Sequence, residues 1–129
     1  MHIEHYEYDE ESDVLDVYFS ERRAVWTIEL TPNIMVSIDR ATKQAVQLTM
    51  MDYSELVHIT EEGPLSFPIT GLAEMPIEER RLVLAVLTSP PVSDWLDIST
   101  VQLLPDSPFT VMHLEPPPPA LRELVPVFA

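Results

Sequence analysis

Cysteine is absent from the chain, which excludes disulfide bonds, thiolate-ligated zinc and cysteine nucleophiles. Glycine is nearly absent: Gly63 and Gly71 are the only two in 129 residues. Neither lies in a phosphate-cradling loop, and no serine sits in a nucleophile-elbow pattern. Basic residues are scarce as well, 7 Lys and Arg against 22 Asp and Glu, for a formal net charge of −15. Affinity for nucleic acid comes largely from Lys and Arg displacing counterions, so a surface of this sign repels phosphate backbones and anionic membranes alike. Long apolar runs are missing: no stretch approaches the roughly 18 residues of a membrane span. The start, Met1-His2-Ile3-Glu4-His5, has neither the basic nor the apolar region of a secretory leader. A soluble, cytoplasmic protein with no nucleic-acid or membrane partner is the expectation.

What is present points to a globular chain. Hydrophobic residues make up 46% and charged residues 22%, enough apolar surface to offset the entropy of ordering, and the length suits one domain over 1–129. Residues 1–55 read as successive strands. Leu15, Val17 and Phe19 alternate with Asp16 and Tyr18; Ala24, Trp26, Ile28 and Leu30 with Val25, Thr27 and Glu29; Ile34, Val36 and Ile38 with Met35, Ser37 and Asp39. Period two marks half-buried antiparallel strands. Polar breaks at Asp9 to Asp13, Ser20 to Arg23, Thr31-Pro32-Asn33 and Asp39 to Lys43 have hairpin length. With His2 to Tyr8 before and Ala45 to Met50 after, the pattern predicts a five-strand meander whose core face includes Trp26, Ile28, Val36, Ile38 and Leu48.

Residues 56–129 are richer in proline and less periodic. Pro76 followed by Ile77-Glu78-Glu79 predicts a helix start, because proline suits the first helical position and acidic groups favour the positive end of the macrodipole. Leu82 to Leu87 continues it to Pro90-Pro91, apolar nearly all round, although so short an apolar run also fits a buried strand. Ser93 to Leu96 suits a helical turn. Thr100 to Leu104 and Phe109 to Leu114 suit strands joined by Pro105-Asp106-Ser107-Pro108, and Pro116 to Pro119 predict polyproline II ahead of an apolar arm with Leu121, Leu124, Val125, Val127 and Phe128. The fold class expected is α+β, an antiparallel meander covered by a helix-containing, proline-rich second layer.

One family resemblance rests on Tyr8-Asp9-Glu10-Glu11-Ser12-Asp13-Val14-Leu15-Asp16-Val17-Tyr18-Phe19-Ser20, then Thr27-Ile28-Glu29-Leu30, Asn33-Ile34-Met35-Val36-Ser37-Ile38-Asp39 and Val46-Gln47-Leu48. These segments resemble the short bacterial domain-of-unknown-function family numbered 2283, with its tyrosine-aspartate, acidic turn and isoleucine-valine-aspartate strand. Asn33 stands where that family often has glycine, and Ala41-Thr42-Lys43 replaces a glycine-containing turn. The resemblance carries no catalytic residues. It implies an accessory member of a gene pair, some beside ribonuclease-type toxins, hence an antitoxin-like role.

No catalytic, cofactor-binding or metal-binding residue is assigned from the sequence. His2 and His5 beside Glu4 and Glu7 suggest metal ligands, but residues three apart on a strand point to opposite faces. Asp9-Glu10-Glu11-Ser12-Asp13 lacks the spaced ligands, glycine and distal glutamate of a calcium loop. His58 and His113 stand isolated along the chain. The expectation is therefore a non-catalytic interaction module. Its candidate partner-binding residues are Asp9, Glu10, Glu11 and Asp13, and its partner is a basic protein steered in by the acidic field. The alternatives are a small metal- or carboxylate-dependent enzyme and a structural homo-oligomeric subunit.

Overall fold

The period-two segments form five antiparallel strands: β1 (His5–Asp9), β2 (Val14–Tyr18), β3 (Val25–Thr31), β4 (Ile34–Asp39) and β5 (Ala45–Met51). The computed structural model describes residues 5–20, 25–57, 59–60, 63–64, 67–72, 75–104 and 107–125. Side chains alternate between the two sheet faces, and the register lines up the inward ones. Val17, Leu48, Val36 and Ile28 form one row across β2, β5, β4 and β3, and Leu15, Met50 and Ile34 form the next.

The lateral order is β1-β2-β5-β4-β3. The meander expected from the sequence is thus altered at one place: β5 returns between β2 and β4, and β3 becomes an edge. Alternation specifies which face a strand buries and leaves its neighbour open. Val25, Thr27 and Glu29 are exposed, as suits an edge strand, whereas β5 pairs on both sides and bonds β2 through its side chains. Of the five residues expected on the core face, Ile28, Val36, Ile38 and Leu48 are buried. Trp26 is only half-buried, near the start of edge strand β3, with the Arg40 guanidinium 5.4 Å from its ring centroid.

Turn chemistry compensates for the shortage of glycine. The Asp39 carboxylate accepts the Ala41 and Thr42 amides at 2.8 and 3.2 Å, and Lys43 takes the left-handed conformation, φ 59°, that a glycine would favour. Asn33 does different work. Its side-chain amide donates to the Met51 carbonyl and, at 2.7 Å, to Asp52, tying the β3–β4 turn to the end of β5.

Beyond the sheet come a short helical turn α1 (Tyr53–Leu56), the two-residue strands β6 (Ile59–Thr60), β7 (Gly63–Pro64) and β8 (Phe67–Pro68), helix α2 (Ile77–Leu87), strands β9 (Leu96–Leu104) and β10 (Ser107–Leu114), and a last turn α3 (Pro119–Arg122). Helix α2 carries Glu78 and Glu79 in its first turn, as predicted, but its first helical residue is Ile77, and Pro76 stands one position before it with extended backbone, φ −54° and ψ 146°. It buries Val83 and Leu87, one turn apart, while Leu82, Leu84 and Val86 are half-buried and Ala85 exposed, so one stripe is covered rather than the whole circumference. The Thr88 and Ser89 hydroxyls cap its end by donating to the Leu84 and Ala85 carbonyls. Strand β9 begins at Leu96, earlier than expected, pairs antiparallel with β10, and β8 adds on the far side of β10. Pro119 opens α3, where its missing amide costs nothing, so the extended stretch ends at Pro118.

A continuous apolar cluster runs through both halves. It takes in Leu15, Ile34 and Met50 of the sheet, Val83 and Leu87 of α2, Leu96 and Met112 of the second sheet, and Leu121 and Val125 near the end. Tyr6 of β1 meets Trp95 edge to face at 5.8 Å. Val127 and Phe128 lie outside the described residues. No helix among the described residues is long and apolar enough to cross a membrane.

Candidate functional site

The acidic turn between β1 and β2 carries carboxylates that bond within the fold and carboxylates that face solvent. Asp9 folds back on its own turn, accepting the Glu11 amide at 3.0 Å and the Ser12 amide at 3.4 Å. The Ser12 hydroxyl, with these amides, holds the Asp9 carboxyl below its ordinary value. Asp13, left-handed at φ 58°, turns inward. It accepts the Tyr8 hydroxyl at 2.6 Å, the Ser54 hydroxyl at 2.6 Å and the Ser54 amide at 3.0 Å. One carboxylate thereby joins the β1–β2 hairpin to α1. Glu10 and Glu11 are exposed. Burial first, then the hydrogen bond to Asp13 and its charge, push the Tyr8 phenol above its ordinary value. Burial does the same to Tyr53, whose hydroxyl has no hydrogen-bond partner among the described residues and whose ring meets Tyr8 at 6.0 Å.

The turn continues into the outward face of the sheet. Register sets Glu7 opposite Asp16, Asp16 opposite Thr49, Thr49 opposite Met35 and Met35 opposite Glu29, a row that crosses all five strands. Asp16 is held in place by the Thr49 hydroxyl at 2.7 Å and the Gln47 amide at 3.0 Å. The adjoining row is His5, Tyr18, Gln47, Ser37 and Thr27, with His5 stacked on Tyr18 at 4.8 Å. Desolvation raises the Tyr18 phenol, and the charges of Asp16 and Glu7 raise it further, so the ring senses the negative field of this face. Among the described residues of these two rows there is no Lys or Arg.

A second constellation lies on the β9–β10 hairpin. Asp97 is directly opposite His113, with His113 Nε2 3.2 Å from Asp97 Oδ2, and Glu115 falls on the same strand face two residues on. One ligating atom from each of these three residues lies within 4.8 Å of the others. His113 is therefore not isolated, as its place in the sequence suggested. The sequence carried no signal for this, because the β9–β10 ladder shifts register between Ser107 and Pro108, and only that shift sets residue 97 against residue 113. His2 and His58 lie outside the described residues, and His5 is exposed on β1.

Residues 5–43, from β1 to the turn after β4, match the family model described as protein of unknown function (DUF2283). No curated protein and no solved structure matches the chain. The β9–β10 constellation lies outside the matched segment.

Proposed function

We propose that the protein is a cytoplasmic, non-catalytic docking module whose acidic sheet face and β1–β2 turn receive a basic segment of a partner protein. The observation that carries this reading is the row Glu7–Asp16–Thr49–Met35–Glu29, in which carboxylates at both edges flank a polar and thioether centre with no cation between them. Glu10 and Glu11 extend the negative field past the end of the hairpin. A cationic segment laid across the strands gains charge complementarity from the edges and apolar contact from Met35 and Tyr18. Charged rims of this kind raise the rate of encounter more than they lengthen residence. Occlusion of the partner's basic surface would be the biochemical effect, in keeping with the antitoxin-like role that the family resemblance implies.

The test starts from the full chain, cross-linked in its native cells to identify the partner by mass spectrometry. The purified pair is then compared with a variant carrying Glu7→Gln, Asp16→Asn, Glu10→Gln and Glu11→Gln. A basic partner is expected, with an association rate lowered about tenfold or more in the variant and lowered again by salt. A partner bound equally fast by the neutralised face would overturn the proposal. Asp13 stays unchanged in this experiment, because its carboxylate supports the fold.

A further inference from the structure

The carboxylates and imidazole of the β9–β10 hairpin are not used by the docking face and meet a different chemical requirement. Asp97 and His113 are partners in the ladder, and the Glu115 amide donates to the Trp95 carbonyl at 2.9 Å, so the pairing continues through the residue that carries the third group. All three side chains therefore project from one face of a hydrogen-bonded hairpin.

We propose that Asp97, His113 and Glu115 bind a divalent transition-metal ion of the zinc class. Metal–ligand distances of about 2.0–2.2 Å set neighbouring donor atoms about 3.0–3.5 Å apart. The 3.2 Å between His113 Nε2 and Asp97 Oδ2 already falls in that range. With all three atoms inside 4.8 Å, rotation of the long Glu115 side chain closes the remainder. Two carboxylates this close repel each other, and a divalent cation cancels their charge. An imidazole beside two carboxylates prefers zinc and its neighbours to magnesium or calcium, which select all-oxygen sites. The Asp97 side chain is 50% exposed and that of His113 31%, so the ion enters from solvent and three protein ligands leave coordination positions open. The site is independent of the docking proposal, since it uses none of the same residues.

Zinc chloride and magnesium chloride titrated calorimetrically into the full-length, chelator-treated protein test this, in about 0.5 M NaCl to suppress diffuse binding to the acidic surface. One saturable equivalent of zinc is expected, bound at least about tenfold more tightly than magnesium. His113→Ala and Asp97→Asn should each weaken it by about tenfold or more. Zinc should also raise the Tm of the parent protein and leave that of His113→Ala unmoved. Should His113→Ala lose its circular dichroism signature, the exposed-site variant Asp97→Asn decides the matter. The sheet-face variant Glu7→Gln/Asp16→Asn should keep the zinc equivalent, so failure here and failure of docking are scored on different residues. Absence of saturable zinc binding up to about 1 mM overturns the site, as does unchanged affinity in Asp97→Asn.

Discussion

At the scale of single residues, chemically similar carboxylates a few positions apart have separate duties. Glu10 and Glu11 are exposed to solvent, and the charge of Glu10 acts on the fold through its field at the Tyr8 phenol. Asp13 accepts hydrogen bonds from the Tyr8 hydroxyl, the Ser54 hydroxyl and the Ser54 amide, and it holds a left-handed backbone that Asp and Asn tolerate better than Ala. Hydrogen bonds to a charged group contribute about 1.5–3 kcal/mol each, less where water competes, as it does at this half-exposed position. Asp13→Ala is therefore expected to lower the unfolding free energy by about 2–3 kcal/mol in urea denaturation. Glu10→Gln and Glu11→Gln should stay within about 0.5 kcal/mol of the parent. Equal, small effects at all three positions would mean that the Asp13 contacts contribute nothing net.

At the scale of elements, Gly71 shows how the second half is seated on the sheet. It lies in a 3-10 turn, Thr70–Leu72, pressed against the backbone of β3 at Glu29, where the β3–β4 ladder shifts register between Glu29 and Thr31. A β-carbon at position 71 would run into the Glu29 carbonyl, and a backbone neighbour cannot rotate away as a side-chain tip can. Overpacking of this sort costs about 1–3 kcal/mol, so Gly71→Ala is expected to lower stability by about 2 kcal/mol, read from thermal or urea unfolding. An unchanged midpoint would show that the turn and β3 separate freely. Nothing in the sequence around Gly71 announces this contact, because its partner lies some forty residues earlier in the chain. Burial of Ile28, Val36, Ile38 and Leu48, by contrast, was legible, since alternation within one strand is local information. The insertion of β5 between β2 and β4 was not, because lateral order depends on pairing across the whole sheet. The pairing of Asp97 with His113 belongs with the lateral order, because the β9–β10 ladder shifts register between Ser107 and Pro108 and a count from the hairpin's end is off by one; only the shared side of His113 and Glu115, two residues apart, is local information. The half-burial of Trp26 follows from its place near the start of edge strand β3, since Ile28 and Leu30 further along the same face are buried.

At the scale of the whole molecule, two acidic halves are held together against their own charge. Residues 1–55 carry twelve acidic and four basic side chains, and residues 56–129 carry ten and three. Each half is strongly negative, so their long-range interaction is repulsive and the apolar cluster from Leu15 to Val125 is what holds them. Net charge far from zero destabilises a compact state through self-repulsion. Raising NaCl from about 20 mM to about 500 mM shortens the screening length from roughly 20 Å to roughly 4 Å, which removes most of that repulsion and leaves the apolar contacts in place. The Tm is therefore expected to rise by a few degrees over this range. A variant with Glu10→Gln and Glu11→Gln should respond less steeply, having less repulsion to screen. Docking of a basic partner should move the opposite way, because the same screening removes its attraction. Salt thus separates the two roles of the charge in one titration: a Tm that stays flat or falls while partner binding weakens would mean that the carboxylates are already compensated within the fold, and that their field acts only outward.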